Sequence, residues 1–282
     1  MILVFGKTGQ VAREMQAIAP EAMFLGREDA DLCNPMACRE AIRRINPRVV
    51  INAAAYTAVD KAEDDEATAH LVNGAAPTAM AAACADLGIP IVHISTDYVF
   101  DGTGTFPWET MAATAPLGAY GRTKLAGEDG VRASGAIHAI LRTSWVFSAH
   151  GTNFVKTMLR LSETRDALTV VADQIGGPTP ACAIAEACLK IAEALQTDPS
   201  LSGTYHLSGA PNVSWAEFAR EVFAQSGCSV TVTNIPTSAY PTPAKRPTNS
   251  RLDCSRLSAF GLGQPDWRTS LTNVLKDLEI IK

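Results

Sequence analysis

No stretch of the chain runs to the roughly 18 apolar residues that crossing a bilayer requires, which argues against a membrane anchor. Basic charge is also in short supply. Lys and Arg total 24 against 29 Asp and Glu, a net charge of -5, so nothing suggests the positive surface that a nucleic acid backbone would attract. The seven cysteines are odd in number, scattered, and contain no C-x-x-C pair. That pattern fits neither a disulfide framework nor a zinc site and reads as buried thiols. There is no internal repeat and no low-complexity tract. The opening "MILVFGKTGQ" enters an apolar strand pattern with no basic n-region and no small-residue cleavage site, as expected of a cytoplasmic protein.

What the chain has instead is alternation. "MILVFG", "AMFLG", "VVINAAA" and "PIVHIST" are short apolar runs, separated by helical patterns over about 10–19, 35–45 and 69–87. Strands alternating with helices predict an α/β fold, a Rossmann-type doubly wound parallel sheet. The runs are continuously Val/Ile-rich, as strands buried on both faces must be. "HAILRTSWVF" adds a strand, a helical stretch follows at 153–163, and "LTVV" reads as a strand. Beyond about Ser148 the texture shifts to "DQIGGPT", a helix over "ACAIAEACLKIAEALQ", the short strand "GTYHLSG", and a helix in which Ser214 and Glu217 have the capping-box spacing. The Pro-rich "PTSAYPTPAKRPTNSRLD" is long enough to be a functional loop. The organisation expected is a nucleotide-binding domain over 1–148 and a smaller substrate lobe over 149–282, with some late elements returning to the sheet.

"GKTGQVA" follows the first strand and opens the first helix with the spacing G-x-x-G-x-x-A, its third position filled by Ala12. A pyrophosphate needs such a tight turn, close backbone approach and the free N–H groups of a helix start. Gly6, Lys7, Thr8, Gly9, Gln10 and Val11 are therefore the candidate phosphate cradle. After the second strand "LGRED" places Arg27 first, a guanidinium suited to the 2'-phosphate of NADPH. The alternative is NADH, with Arg27 solvated and Glu28 or Asp29 taking the ribose. Asp31 and Leu32 are placed to flank adenine, and Ala53, Ala54 and Ala55 are small enough for a cofactor to lie against the backbone or simply for tight core packing.

Tyr120 and Lys124 in "AYGRTKLAGE" stand four residues apart on a predicted helix, on one face and about 6 Å apart in rise. Five tyrosines and eight lysines give Y-x-x-x-K only ~0.14 times by chance. An ordinary tyrosine is a sluggish acid at neutral pH, and a neighbouring ammonium would favour its phenolate. The strand "IVHIST" ends in Thr96 at the carboxyl edge where open α/β sheets bind ligands, so its hydroxyl can hold a reacting carbonyl oxygen or merely cap a turn. Together the three fit one reaction geometry, with Tyr120 as acid, Lys124 as its tuner and Thr96 as the oxygen's second partner.

These blocks resemble the extended short-chain dehydrogenase/reductase family. Within it, "NAAAYTAVDKAE", "STDYVFDGTG", "RTSWVF", "DQIGGPT" and "AYPTPAKRPTNSRLD" are similar to the dTDP-4-dehydrorhamnose reductases. The resemblance implies reduction of the 4-keto group of dTDP-4-dehydrorhamnose to dTDP-L-rhamnose, with Tyr120 as proton donor, Lys124 on the nicotinamide ribose, Thr96 on the keto oxygen and NAD(P)H as hydride source. It implies sugar-nucleotide contacts at Asp97 and Trp145, although Trp145 reads equally as core. Arg246 suits bidentate contact with a diphosphate or is a solvated loop charge, with Lys245, Asn249 and Arg251 as secondary candidates. Gln174 is expected to be structural, near the hinge between lobes. Some members pair as homodimers through magnesium held by glutamates, for which no cluster stands out here. Two rival readings remain: a reductase or epimerase of another nucleotide sugar, and a non-catalytic relative such as the regulatory subunit of methionine adenosyltransferase.

Overall fold

The structure, a computed structural model, describes residues 1–282. Its centre is a six-stranded, all-parallel sheet. The strands are β1 (Ile2–Phe5), β2 (Met23–Leu25), β3 (Val49–Asn52), β4 (Ile91–Thr96), β5 (His138–Thr143) and, from far along the chain, β10 (Gly203–Leu207). They lie in the order β10-β5-β4-β3-β1-β2. The chain leaves β1 in both directions, first to β2 and then back past β1 to β3, which opens a crevice at the carboxyl ends of β1 and β3. All four residues of β3 are buried, as helices on both faces require.

The helices take their places by apolar spacing. Helix α1 (Gln10–Ile18) buries Val11, Ala12 and Met15; α2 (Pro35–Ile45) is capped by Asn34, whose side chain accepts from the Ala37 N–H. The segment expected as one helix over 69–87 starts earlier and is interrupted. It comprises α3 (Glu66–His70), a π turn (Leu71–Ala75) and α4 (Ala76–Leu87). The extra residue in that turn directs Asn73 inwards, where its amide holds both the N–H and C=O of Tyr56 and reaches the Thr123 hydroxyl. Helix α5 (Ala119–Ala133) then packs on the π turn and on α4.

The smaller lobe holds α6 (Phe154–Ser162), α8 (Trp215–Ser226) and α9 (Trp267–Asp277). Its short strands are β6 (Val146–Phe147) paired with β9 (Thr179–Pro180), β7 (Ala167–Val171) with β12 (Thr231–Ile235), and β8 (Ile175–Gly176) between β11 (Val213–Ser214) and β13 (Asn249–Ser250). Ser214 and Glu217 form the reciprocal capping box at the start of α8. Residue 148 is not where the sheet ends: helix α7 (Ala181–Thr197) packs against α1, and β10 adds the sixth strand beside β5. One apolar cluster accordingly mixes Val4, Val11 and Met15 with Ile184, Ile191, Tyr205 and Leu257.

Candidate active site

The crevice between β1 and β3 is a cleft of about 790 Å³, and every residue expected to hold a cofactor lines it: Gly6 to Val11, Arg27, Asp31, Leu32, Ala53 to Ala55, Tyr120 and Lys124. Gly6 has φ +107, and a Cβ there would stand 3.2 Å from the Ala53 carbonyl carbon, so the turn closes on the end of β3 only with glycine. Gly9 begins α1 with no side-chain cap and with open space where a Cβ would be. The uncapped N–H groups beside that space, together with the buried and unpartnered hydroxyl of Thr143 elsewhere on the cleft wall, fit a dinucleotide with its pyrophosphate on α1.

After β2 the acidic residues are engaged with other groups. Glu28 pairs with Lys7 at 3.1 Å, and Asp29 accepts from the Gly26 N–H at 2.9 Å. Arg27 is exposed and has no carboxylate partner. Asp31 accepts from the Cys33 N–H. Gln10 works across the lobes: its Oε1 accepts from Ser148 and Asn153, both at 2.9 Å, tying the glycine turn to the start of α6.

At the other end of the cleft the strand β4 and the helix α5 bring Thr96, Tyr120 and Lys124 together. The Thr96 hydroxyl caps the turn after β4, accepting from the Tyr98 N–H, and donates to Asp97 Oδ1 at 3.1 Å. Its single proton is thus engaged by Asp97 and must turn from that carboxylate to meet any other oxygen. Asp97 Oδ2 is buried without a partner. Burial pushes this carboxyl up to about 6, against the neighbouring Ser250 and Thr96 hydroxyls, which pull it down. Tyr98 stands edge-on to Tyr120 with ring centroids 5.3 Å apart.

Lys124 makes its hydrogen bonds to groups other than the Tyr120 hydroxyl. Burial carries the Tyr120 phenol well above its usual range, and what opposes this is the Thr96 hydroxyl. Lys124 Nζ instead donates to the Ile94 carbonyl at 2.7 Å and lies 3.4 Å from His93 Nε2. Burial brings the lysine down to about 8, with Glu128 one turn further along the helix holding it up.

A second cavity of about 620 Å³ opens between the lobes and meets the first at Tyr98 and Trp145, which line both. Trp145 is half-buried, has φ +50, and stacks on Trp215 at 3.6 Å; it is a wall of the site and not simply core. Arg246 also lines this cavity, donating to the Tyr98 hydroxyl at 3.1 Å and to Asp60 Oδ2 at 2.6 Å. Asn249 does not fit its expected substrate role. It is buried, and its amide is consumed by the carbonyls of Thr103 and Phe106 and by the Arg251 guanidinium, so it braces a loop. Lys245 and Arg251 line neither cavity. Gln174 bridges Thr237 and Trp215, a structural tie at the cavity wall.

Sequence reasoning missed Tyr98, Ser250 and Trp215 as wall residues and Asp60 as the partner of Arg246. Tyr98 adjoins the "STD" motif and could have been found; Asp60 and Arg246 are joined only by the fold. No group of three or more His, Cys, Asp or Glu side chains is arranged to share a metal ion, so the magnesium expectation finds no donor set. No helix is long and apolar enough to cross a membrane.

The family described as "RmlD substrate binding domain" matches residues 1–280. The dTDP-4-dehydrorhamnose reductase of Sinorhizobium fredii is 45% identical over 279 residues, covering 95% of this chain and 94% of that protein. The crystal structure of a dTDP-4-dehydrorhamnose reductase from Clostridium acetobutylicum superposes with a TM-score of 0.92 at 38% identity, over 99% of both chains. That of the Bacillus anthracis dTDP-4-dehydrorhamnose reductase, in complex with NADP, does so with a TM-score of 0.91 at 33% identity over 98% of both. Sequence, cleft and full-length superposition converge: the chain belongs to the dTDP-4-dehydrorhamnose reductase family of Rossmann-type oxidoreductases.

Proposed function

We propose that the chain carries out the reaction for which its relatives are named, reducing the 4-keto group of dTDP-4-dehydro-6-deoxy-L-mannose to give dTDP-L-rhamnose, with NADPH as the preferred hydride source. The observation that carries this reading is the junction of two cavities at Tyr98 and Trp145, with Thr96, Asp97, Tyr120 and Lys124 lining the cleft beside it. A nucleotide cofactor and a nucleotide sugar can thus meet at one acid.

Tyr120 gives its proton to the carbonyl oxygen as negative charge develops there, and Thr96 turns its hydroxyl proton from Asp97 to the same oxygen. A phenol kept protonated by burial holds its proton until that charge appears. Lys124, as ammonium, anchors the nicotinamide ribose and stabilises the phenolate left behind. Asp97 takes a sugar hydroxyl with its unpartnered Oδ2, and Trp145 and Trp215 wall the ring. Arg246, reaching the second cavity from the Pro-rich loop, takes the diphosphate. Arg27, free of any carboxylate, takes the 2'-phosphate, which is the ground for preferring NADPH over NADH.

The test is a panel of nucleotide-linked 4-keto sugars followed by loss of nicotinamide absorbance. Turnover confined to the dTDP-linked 6-deoxy-L-sugar is the expected result. Preference for another sugar would overturn the substrate assignment, and no turnover with any would favour a binding partner over an enzyme.

A further inference from the structure

Behind Lys124 lies a buried polar chain that the reaction above does not use. Asn52 ends β3, His93 lies on β4, and both are fully buried. Asn52 Nδ2 is 3.0 Å from His93 Nδ1, and His93 Nε2 is 3.4 Å from Lys124 Nζ.

The protons in this chain can be assigned. The Ala54 N–H donates to Asn52 Oδ1 at 3.2 Å, which fixes the amide oxygen on that side and turns the NH₂ towards His93. His93 Nδ1 must then accept. Burial and the nearby Lys124 and Arg132 hold the imidazole pKa well below its usual value, so it is neutral and its single proton sits on Nε2. That N–H points at Lys124. An ammonium would meet it donor to donor, whereas a neutral amine accepts from it and still donates to the Ile94 carbonyl. The approach is enforced by Gly127, where any Cβ would strike the Asn73 carbonyl oxygen and lie 3.5 Å from His93 Nε2.

We propose that His93 is a positioning residue for the catalytic lysine: locked by Asn52 with its proton on Nε2, it presents an N–H to Lys124 and sets, from behind the site, the pH at which the ammonium is lost. This rests on the reading of Lys124 as a charged partner of Tyr120. Other charged and titratable groups come from the elements packed on helix α5: the turn after β4 brings Asp97 and Tyr98 to the same cleft, and Glu63 accepts from the Ala119 N–H. Glu128 and Tyr120 come from its own helix, and Glu128 is bound by Arg142 of β5 and by Arg132. The π turn offers only the neutral Asn73, and Glu66 of α3 is engaged by Arg122.

The tautomer is read directly by ¹⁵N NMR of the imidazole in the full-length wild-type protein with no substrate added, so this arm stands whichever sugar is turned over. A proton on Nε2 and a bare Nδ1 are expected; a bare Nε2, or a doubly protonated ring at neutral pH, would overturn the proposal. The functional arm is the pH profile of kcat/KM, whose alkaline limb marks loss of the ammonium. Asn52→Leu frees the ring to move its proton to Nδ1, and His93→Phe removes the N–H. Both should move that limb up by about one pH unit, while a purely structural role would lower activity without moving it. An unmoved limb in both variants overturns the proposal. Should neither variant fold, the wild-type His93 Nε2–H resonance must titrate with the midpoint of the wild-type alkaline limb, and its failure to do so overturns the proposal equally. Failure of the sugar panel with an Nε2 proton in place would sink the enzymatic reading and leave the tautomer standing.

Discussion

Tyr120 and Lys124 are shifted in opposite directions by the same cause, burial: the phenol upwards and the ammonium downwards. Each shift disfavours the charged form, so in the proposed reaction the phenol keeps its proton until a substrate oxygen draws it off. Tyr120→Phe is expected to lower kcat by about 10²- to 10⁴-fold while cofactor affinity, measured by fluorescence titration, changes little. Asp97 gives a second prediction, on stability. Its folded carboxyl lies near 6, above the ordinary value of 3.8, so the native state binds the proton more tightly than the unfolded chain. Stability from this group is complete below about pH 4 and is lost as pH rises towards and through 6. The wild type should therefore lose roughly 2 kcal/mol relative to Asp97→Asn between pH 4 and pH 7, followed by urea unfolding. A constant difference between the two proteins would show that Asp97 ionises normally. The candidate catalytic residues stood out in the sequence because their types and spacing suit the proposed chemistry, and the fold brings them to one cleft. Asn249 was misassigned because a buried amide that braces a loop and one that faces a ligand look alike in sequence.

Helix α5 carries Tyr120, Lys124 and Glu128 on successive turns of one face, and glycines let that helix approach its neighbours closely. A Cβ at Gly127 would penetrate the Asn73 carbonyl oxygen of the π turn, a backbone atom that cannot step aside. Gly127→Ala should cost about 3 kcal/mol in chemical denaturation and weaken turnover by pushing Lys124 away from its partners. An alanine variant as stable as wild type would mean that the helix docks elsewhere. The same scale shows which elements a sequence announces. Long helices and buried strands were readable from periodicity, and the capping box at Ser214 from two residue types. The π turn was not, because one extra residue in a helical run leaves no compositional mark. Strand β12 is mostly exposed and lacks an apolar face, and α9, with Trp267, Leu271, Val274 and Leu275 at helical spacing, begins just after the turn residues Gly261, Gly263 and Pro265.

The molecule does not divide at residue 148. Helix α7 and strand β10 complete the sheet, and the apolar cluster around Val4, Met15, Ile184 and Tyr205 spans both halves of the sequence. Gln10 with Asn153, and Asp60 with Arg246, add polar ties across the lobes. A chain cut after Ser148 should accordingly fail to give a cooperative unfolding transition by circular dichroism; a sharp transition from that fragment would establish an independent N-terminal domain. The texture change near residue 148 marked where the alternation becomes irregular; that late elements return to the sheet was expected, but which strand returns, and beside which neighbour, is set by the fold and not by local composition. The place of β10 also has a consequence in time. Translation at about 5–20 residues per second leaves β5 as an open sheet edge for several seconds before residues 203–207 emerge to cover it. During that interval the nascent chain presents the unpaired backbone of a buried, Leu- and Ile-bearing strand, and its yield in a cell depends on what shields that edge until its last neighbour is made.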